Sequence, residues 1–357
     1  VLLFSTIALK SALKKQGAMP NEPNLAFYDL RLKISLAYQI FHISEFLYTV
    51  AAKKEVARNR EKEQEETHFA YVAARNFAKQ KKLEKLATNY LKLSGAYLTA
   101  RTKKAGAADT GFPVEASIVI PVFNRQKTIE GALQSALAQQ TTFDFNIIVV
   151  DNHSTDGTTP ILKNLAALHP KIHHRIPQRR DLNIGGCWNE AIYSSCCGRY
   201  AVQLDSDDLY SSADTLQSIV DAFKKGDYAM LVGSYTIVNE HLQAIPPGLI
   251  DHREWTAANG HNNALRINGL GAPRAFNTAV LRRIGFPNVG YGEDYAVALR
   301  MSREYKIGRI YESLYLCRRW ADNTDAALSV EKQNRNDFYK DKLRTLEIRA
   351  RQKMTAS

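Results

Sequence analysis

Short apolar runs rich in β-branched residues alternate with helix-length segments through the middle of the chain, and no other feature constrains its fold as strongly. The runs lack the polar alternation of a strand with one exposed face. Strands of this kind, separated by helices of about ten to fifteen residues, are typical of a parallel sheet covered on both faces. The predicted strands are ASIVIPVF (116–123), FNIIVV (145–150), KIHHRI (171–176) and YAVQL (200–204). We therefore predict an α/β fold with a mostly parallel sheet.

Helical periodicity dominates the two ends of the chain. No glycine or proline lies between Asn24 and Ser94, and apolar residues recur there at helical spacing. A stretch of small and polar residues with a proline, KAGAADTGFP (104–113), marks a boundary. The sequence predicts a basic α-helical region over residues 1–110, an α/β domain over residues 114–330 and a C-terminal basic helix over residues 331–357.

The formal net charge of +12 comes from these two ends, because the middle of the chain is close to neutral. Basic helical faces are most often solvated, and otherwise contact anionic lipid or another subunit. No groove pattern of basic and aromatic residues indicates nucleic-acid binding.

No apolar segment approaches the ~20 residues that cross a bilayer. The four cysteines include no C-x-x-C pair, which disfavours structural zinc and indicates a reducing compartment. We expect a cytoplasmic protein; peripheral contact with the inner face of the membrane and a homo-oligomer stay open.

Three carboxylates lie within four residues directly after the fourth predicted strand, at Asp205, Asp207 and Asp208. Capping of the next helix would explain one of them. Three neighbouring acids repel one another, and a divalent cation would offset the repulsion. Mg²⁺ and Mn²⁺ commonly take one or two carboxylates and complete their shell with water and substrate phosphates. The stretch therefore predicts a site at which a divalent cation binds both these carboxylates and the diphosphate of a substrate.

Other predicted strands also end in residues that suit a nucleotide. Phe123 could offer a flat face to a base, and Asp151 and Asn152 carry hydrogen-bonding groups for a base edge or a ribose. Gly185 and Gly186 stand at a predicted helix start, where free backbone N–H groups favour anions. Each feature alone also fits a structural role, but the carboxyl ends of parallel strands meet at one edge. Together they favour a nucleotide site.

Residues 116–208 and two later stretches resemble family 2 glycosyltransferases of the GT-A fold. The resemblance implies a GT-A sheet and transfer of a sugar, with inversion, from a nucleotide-diphosphate sugar to an acceptor hydroxyl. It also suggests a role in cell-surface polysaccharide or glycoconjugate synthesis. The stretches that carry it are SIVIPVFNRQKTIEGALQSALAQ (117–139), IIVVDNHSTDGT (147–158), NIGGCWNEA (183–191), LDSDD (204–208), GEDYAVALRM (292–301) and CRRW (317–320).

On matching positions, the resemblance implies a nucleotide-sugar pocket and a metal site. Asp205-Ser206-Asp207 resembles the D-x-D motif, with Asp207 as the direct ligand of Mn²⁺ or Mg²⁺ and Asp205 reaching the ribose or the metal. Many members carry Asp where this chain has Asn152, so the base stays open, although a UDP-sugar is favoured. The implied pocket residues are Pro121, Phe123, Asn124, Asp151, Asn152, Asn183, Gly186, Asp205 and Ser206.

Glu293-Asp294 resembles the family's E-D pair, which implies that Asp294 is the general base and that Glu293 supports it. From the residues alone, two acids in the first turn of a helix explain the pair as well. Arg319-Trp320, also in a supporting role, resembles the end of the Q-x-x-R-W motif of processive synthases. Leu316 stands at the glutamine position. The resemblance therefore disfavours a processive synthase.

The segment before the E-D pair offers candidate contacts with a carbohydrate or glycolipid acceptor. Residues 244–263 are predicted as a long loop, and Trp255, His261 and Arg274 are candidates for the acceptor side. A purely structural loop explains them equally well. Two other functions stay open: a sugar-nucleotidyltransferase, disfavoured because no glycine follows the first strand until Gly131, and a non-catalytic binding or scaffold protein.

Overall fold

The computed structural model describes residues 4–41, 43, 45, 47, 76–99, 103–106, 111–253, 255–267, 269–319 and 328–356. Within these ranges, three helices precede the sheet: α1 (Thr6–Gln16), α2 (Pro23–Ser35) and α3 (Phe77–Leu93). The helical prediction for the N-terminal region is confirmed there. Its continuation through residues 48–75 lies outside the described residues.

One mixed sheet carries the predicted strands. Four parallel strands lie side by side in the order β3-β2-β1-β4: β1 (Ala116–Val122), β2 (Phe145–Asp151), β3 (Ile172–Arg175) and β4 (Tyr200–Gln203). The sheet continues as β4-β8-β6-β9-β5, with β7 paired to β6. These strands are β5 (Leu209–Tyr210), β6 (Tyr228–Val238), β7 (Ala244–Ile250), β8 (Arg274–Asn277) and β9 (Lys306–Arg318). β8 runs antiparallel to β4 and β6, whereas β6 and β9 are parallel.

Helices cover both faces of the sheet. Ile118 and Ile120 of β1 join one buried apolar cluster, whereas Val119 joins the other, as strand alternation requires. The predicted α/β architecture is therefore confirmed. No helix in the described part of the chain is both long and apolar enough to span a membrane. The helices are α4 (Ile129–Leu137), α5 (Thr158–Leu168), α6 (Ile184–Ile192), α7 (Thr215–Lys225), α8 (Gly260–Asn263), α9 (Thr278–Ile284), α10 (Glu293–Ser302) and α11 (Val330–Ala356).

The predicted loop over residues 244–263 is wrong in its first part, where β7 forms. This strand contains Pro246 and Pro247 and pairs only with β6, at an edge of the sheet. Proline lacks an N–H group and is tolerated in edge strands, where one side of the backbone has no partner strand. The two prolines and the exposed side chains of β7 concealed the strand from the sequence pattern.

The segment after α3 and the helix α11 meet on the α/β domain at α8. Arg351 of α11 is fully buried and donates from Nη2 to His261 O at 2.8 Å and from Nη1 to Asn262 Oδ1 at 3.3 Å. Asn262 Oδ1 also accepts from Leu98 N at 3.2 Å, and its Nδ2 donates to Leu98 O at 2.9 Å. One asparagine thus joins three distant parts of the chain.

Candidate active site

The acidic stretch follows β4 directly, and Gln203, the last residue of β4, binds the side chain of Asp205. Gln203 donates from Nε2 to both carboxylate oxygens of Asp205, at 2.9 Å each. The backbone N–H of Asp205 donates to Tyr315 Oη at 2.8 Å, and Tyr210 Oη donates to Gln203 O at 2.9 Å. Because both tyrosines are buried, the backbone at the end of β4 is fixed from β5 and β9.

The other two acids differ in their surroundings. Asp208 is buried and accepts a hydrogen bond from the backbone N–H of Arg318 at 2.8 Å, so it ties the acidic stretch to the end of β9. The side chain of Asp207 is 18% exposed. Burial and the charge of Asp205 raise the pKa of Asp207, and burial together with both neighbouring acids raises the pKa of Asp208.

Asp205 and Asp207 have the chemistry that a divalent cation needs, because they are crowded carboxylates that remain partly exposed. Asp208 has a structural contact instead. The described residues contain no group of three or more His, Cys, Asp or Glu side chains placed to hold a metal. A cation at this stretch would therefore take its remaining ligands from water and a diphosphate.

Two contacts join the acidic stretch to the loop after β1. Thr128 Oγ1 donates to Ser206 O at 2.9 Å, and both residues are buried. Arg125 Nε lies 3.6 Å from Asp207 Oδ2. These contacts bring the ends of β1 and β4 to the same edge of the sheet, as predicted for parallel strands.

The loops after β1 and β2 are themselves cross-linked. Asn124 has a φ of +50°, a conformation that asparagine tolerates better than most residues. Its Oδ1 accepts from Thr155 N at 2.8 Å, and its backbone N–H donates to Ser154 Oγ at 3.0 Å. Phe123 is 52% exposed, so its ring is open to solvent at this edge, whereas Pro121 lies within β1.

Asp151, at the end of β2, is fully buried, and both of its carboxylate oxygens are occupied. Ser154 N donates to Oδ1 at 2.9 Å, Thr159 Oγ1 donates to Oδ2 at 2.5 Å, and His174 Nε2 lies 3.5 Å from Oδ2. Burial alone would raise the pKa of Asp151, but the contacts with these three residues outweigh it and hold the pKa well below its ordinary range. The carboxylate thus fixes the loop after β2 and is not presented at the surface where a base contact was predicted.

The neighbouring Asn152 has an unsatisfied acceptor. Its Nδ2 donates to Leu182 O at 2.8 Å. Its Oδ1 is buried and accepts no hydrogen bond from the described residues. A buried acceptor without a donor is unfavourable by about 1–3 kcal/mol, so an N–H group of a ligand would be favoured here.

The start of α6 is closed by the loop before α10. The backbone N–H of Asn183 donates to Asn288 Oδ1 at 2.7 Å, and that of Gly185 donates to Val289 O at 3.4 Å. A Cβ on Gly185 would stand 1.9 Å from a backbone oxygen of the same loop, and one on Gly186 would stand 2.6 Å from Asn288 Oδ1. The glycines permit this close packing. The loop thus occupies two of the N–H groups near the predicted anion site, and a role of Gly186 in binding the donor stays a prediction.

The E-D pair meets an arginine beside β4. Arg274 Nη1 lies 2.6 Å from Asp294 Oδ2, and Asp294 Oδ1 accepts the N–H of Tyr295 at 2.7 Å. The backbone N–H of Arg274 donates to Gln203 Oε1 at 3.1 Å. One glutamine amide therefore contacts both the Asp205 carboxylate and the backbone of the arginine that pairs with Asp294.

Glu293, the other member of the pair, is 7% exposed. Burial and the charge of Asp294 raise the pKa of Glu293 to about 8, although Arg274 opposes the shift. The raised pKa favours the protonated form of Glu293, which adds less negative charge beside Asp294 than a free carboxylate would.

The three residues predicted to contact the acceptor lie in different surroundings. Arg274 lies in β8 and contacts the E-D pair. Trp255 is 4% exposed and belongs to the apolar core, and His261 Nε2 lies 2.7 Å from Leu98 O. Trp255 and His261 thus make structural contacts, and their contact with an acceptor stays a prediction.

The end of β9 brings a further arginine, next to the predicted Arg319, to the acidic stretch. Arg319 extends the strand pairing, since its N–H donates to Val238 O at 2.8 Å. Arg318 instead reaches the acidic stretch and donates from Nε to Asp207 O at 2.5 Å. Trp320 lies outside the described residues.

Comparisons with known proteins agree on one family. The profile of the family described as Glycosyl transferase family 2 matches residues 117–286. UDP-Glc:alpha-D-GlcNAc-diphosphoundecaprenol beta-1,3-glucosyltransferase WfgD of Escherichia coli is 26% identical over 196 residues, which are 54% of this chain and 72% of that protein. Chondroitin synthase of Escherichia coli is 38% identical over 109 residues, or 30% of this chain, and the match spans only 15% of the synthase.

A solved structure has a similar fold. The crystal structure of S. aureus TarS 1-349 in complex with UDP-GlcNAc superposes with a TM-score of 0.52 at 20% identity, covering 65% of this chain and 66% of that one. At this identity the likeness concerns the fold alone. The strand order, the family match and this superposition agree: residues 117–286 are similar to Glycosyl transferase family 2, within a mixed α/β fold of GT-A type.

Proposed function

We propose that this protein is a non-processive, inverting glycosyltransferase that moves a sugar from a nucleotide-diphosphate sugar to a hydroxyl of a carbohydrate or glycolipid acceptor. One observation carries the proposal: Gln203 contacts both Asp205 and the backbone of Arg274, which pairs with Asp294. A diphosphate site and a general base would then lie side by side at the end of β4. Ligands of open α/β sheets bind at this edge.

The nucleotide of the donor would lie over the ends of β1 and β2. The exposed ring of Phe123 suits stacking with a base. The buried Oδ1 of Asn152 would accept a hydrogen bond from a base N–H. A UDP-sugar is the first choice of donor, because the relative WfgD is named for UDP-Glc.

Asp205 and Asp207 would hold the Mn²⁺ or Mg²⁺ ion. When bound, such an ion would neutralise the charge that develops on the leaving diphosphate. Arg125, 3.6 Å from Asp207, would place a further positive charge beside the donor phosphates.

Asp294 would accept the proton of the acceptor hydroxyl as the oxygen attacks the anomeric carbon. Arg274 orients the Asp294 carboxylate through the 2.6 Å contact. Glu293 would keep its proton at neutral pH, because its pKa is raised to about 8. It would then add no second negative charge to repel the phosphates of the donor. A single displacement of this kind inverts the anomeric configuration.

The relative WfgD, the N-terminal helices and Leu316 suggest the setting of the reaction. WfgD is named for an acceptor that carries diphosphoundecaprenol, which suggests surface polysaccharide or glycoconjugate synthesis. The exposed side chains of Ile7 and Phe27 on basic helices would suit peripheral contact with an anionic membrane. Leu316, which pairs with Leu209 in the sheet, favours single additions because it replaces the glutamine of processive synthases.

The proposal is tested by incubating the protein with a panel of nucleotide sugars and Mn²⁺, with and without lipid-linked and free saccharide acceptors. Release of nucleoside diphosphate, abolished by a strong chelator, is the expected result. Formation of nucleoside triphosphate and sugar 1-phosphate when inorganic diphosphate is added would instead indicate a sugar-nucleotidyltransferase. No turnover and no nucleotide binding would leave a non-catalytic scaffold.

A further inference from the structure

The turn that carries the E-D pair is packed directly against the C-terminal helix. Gly292, just before the pair, has a φ of +76°, and a Cβ at this position would lie 3.4 Å from ring atoms of Tyr339. Leu343, one helical turn later in α11, is 3.9 Å from the same point. α11 therefore closes over the first turn of α10, although it lies outside the segment that matches the family.

One cation of α11 lies between the two aromatic rings that flank the pair. Lys340 is 8% exposed, and its Nζ is 4.7 Å from the ring centroid of Tyr291 and 5.7 Å from that of Tyr295. These tyrosines stand two residues before Glu293 and one residue after Asp294. Contacts of an ammonium group with aromatic faces strengthen when they are desolvated.

The charges around Lys340 are consistent with a position close to the site. Burial lowers the pKa of Lys340, and the nearby charges of Asp294 and Asp337 oppose that shift. Arg344, one turn along α11, lies 5.5 Å from the Tyr295 ring centroid and donates from Nε to its Oη at 3.2 Å. Two cations of α11 therefore contact Tyr295, the residue after the proposed base.

We propose that Lys340 is a positioning residue for Asp294, contributed by the C-terminal helix. Arg274 holds the Asp294 carboxylate from β8, and Lys340 holds the turn beneath it by binding the rings on either side. Displacement of a catalytic group by about 1 Å can lower a rate by on the order of 100-fold. The inference rests on the proposed function, in which Asp294 is the general base.

The test compares Lys340→Met with Lys340→Arg in the full chain. The Met variant keeps the length of the side chain but lacks the charge, and we expect its kcat to fall by about 10- to 100-fold, with the Kd of the donor changed less than about twofold. Arg restores the cation over the rings and should recover most of kcat. Lys342→Met is the matched control, because Lys342 is an exposed lysine of the same helix.

Tyr291→Leu provides a second variant, since Tyr291 is 36% exposed and its ring can be removed with little effect on the core. It should lower kcat in the same way while Lys340 is unchanged. A wild-type kcat in both Lys340→Met and Tyr291→Leu would overturn the inference, and so would equal losses of kcat and donor affinity. Failure of the proposed function would show separately, as absence of nucleotide-sugar turnover by the wild-type protein.

Discussion

Arg274 Nη1 lies 2.6 Å from Asp294 Oδ2, so the proposed general base is already paired with a cation from the neighbouring strand. The same arginine donates its backbone N–H to Gln203, whose side chain holds Asp205. The two halves of the proposed chemistry are thus coupled through β4 and β8. An acceptor hydroxyl would share the Asp294 carboxylate with Arg274.

Asp294→Asn should lower kcat by on the order of 100-fold or more, because the amide cannot take up the hydroxyl proton. Donor affinity should change little, since Asp294 contacts Arg274 and the Tyr295 N–H but none of the acids at the end of β4. Steady-state release of nucleoside diphosphate and titration calorimetry with the donor measure the two quantities. A variant that turns over at the wild-type rate would remove Asp294 from its role.

Asp207→Asn should lower transfer by on the order of 100-fold or more, because it weakens both metal and donor binding. Its fold should be preserved, because the Asp207 side chain is partly exposed and its ion pair with Arg125 is long, at 3.6 Å. Asp214→Asn is a suitable control, since Asp214 is an exposed acid before α7 that makes no capping hydrogen bond. Full activity of Asp207→Asn in the presence of Mn²⁺ would contradict the metal assignment.

The stability of the protein should depend on pH through Glu293. Its pKa is raised from 4.5 to about 8, so the folded protein keeps a proton that the unfolded chain loses above pH 4.5. The free energy of unfolding should therefore fall as pH rises between these values, by at most about 1.4 kcal/mol per pH unit. Glu293→Gln should lack this slope. Denaturant titrations at pH 5 to 8 test the difference, and parallel pH profiles of the two proteins would disprove it.

Asp151→Asn should destabilise the fold by about 1–3 kcal/mol, because one oxygen of a buried, fully bonded carboxylate becomes a donor facing other donors. Ser154, Thr159 and His174 would lose part of their shared acceptor. Urea unfolding measures the effect. An unchanged midpoint together with a large loss of donor affinity would instead favour the direct base contact that the sequence predicts.

Gly185→Ala should be destabilising by about 1–3 kcal/mol, because its Cβ would overlap a backbone oxygen 1.9 Å away. Gly269→Ala is the matched control, since a Cβ at Gly269 would meet no atom within 4 Å. Thermal unfolding of both variants tests whether the glycines of α6 are required for packing. Equal melting temperatures would leave that explanation without support.

Much of the fold was predictable because the parallel strands are continuous apolar runs, a strong local signal. β8 was not predicted because it has only four residues and no long apolar run. It forms a strand through its pairing with β4 and β6. β7 escaped because Pro246 and Pro247 oppose a strand everywhere except at an edge.

The acidic stretch was also visible in the sequence, but the residues that hold it were not. Gln203 had one local signal, its position at the end of β4 two residues before Asp205. Tyr315 and Arg318 contact the stretch from 110 residues away, and no spacing rule links positions so distant. Asp151 was recognised as a motif residue, but its burial follows from contacts with Thr159 and His174 that only the folded chain reveals.

The asparagine at α8 has a consequence for the order of assembly during synthesis. Asn262 joins Leu98, 164 residues earlier, to Arg351, 89 residues later. Contacts between such distant positions form slowly, because a long loop must close first. On the ribosome, β1 to β4 can pair long before α11 has been translated. The contact between Asn262 and Arg351 can form only after α11 has been translated. Until then the part of α10 that packs against α11 would lack its cover.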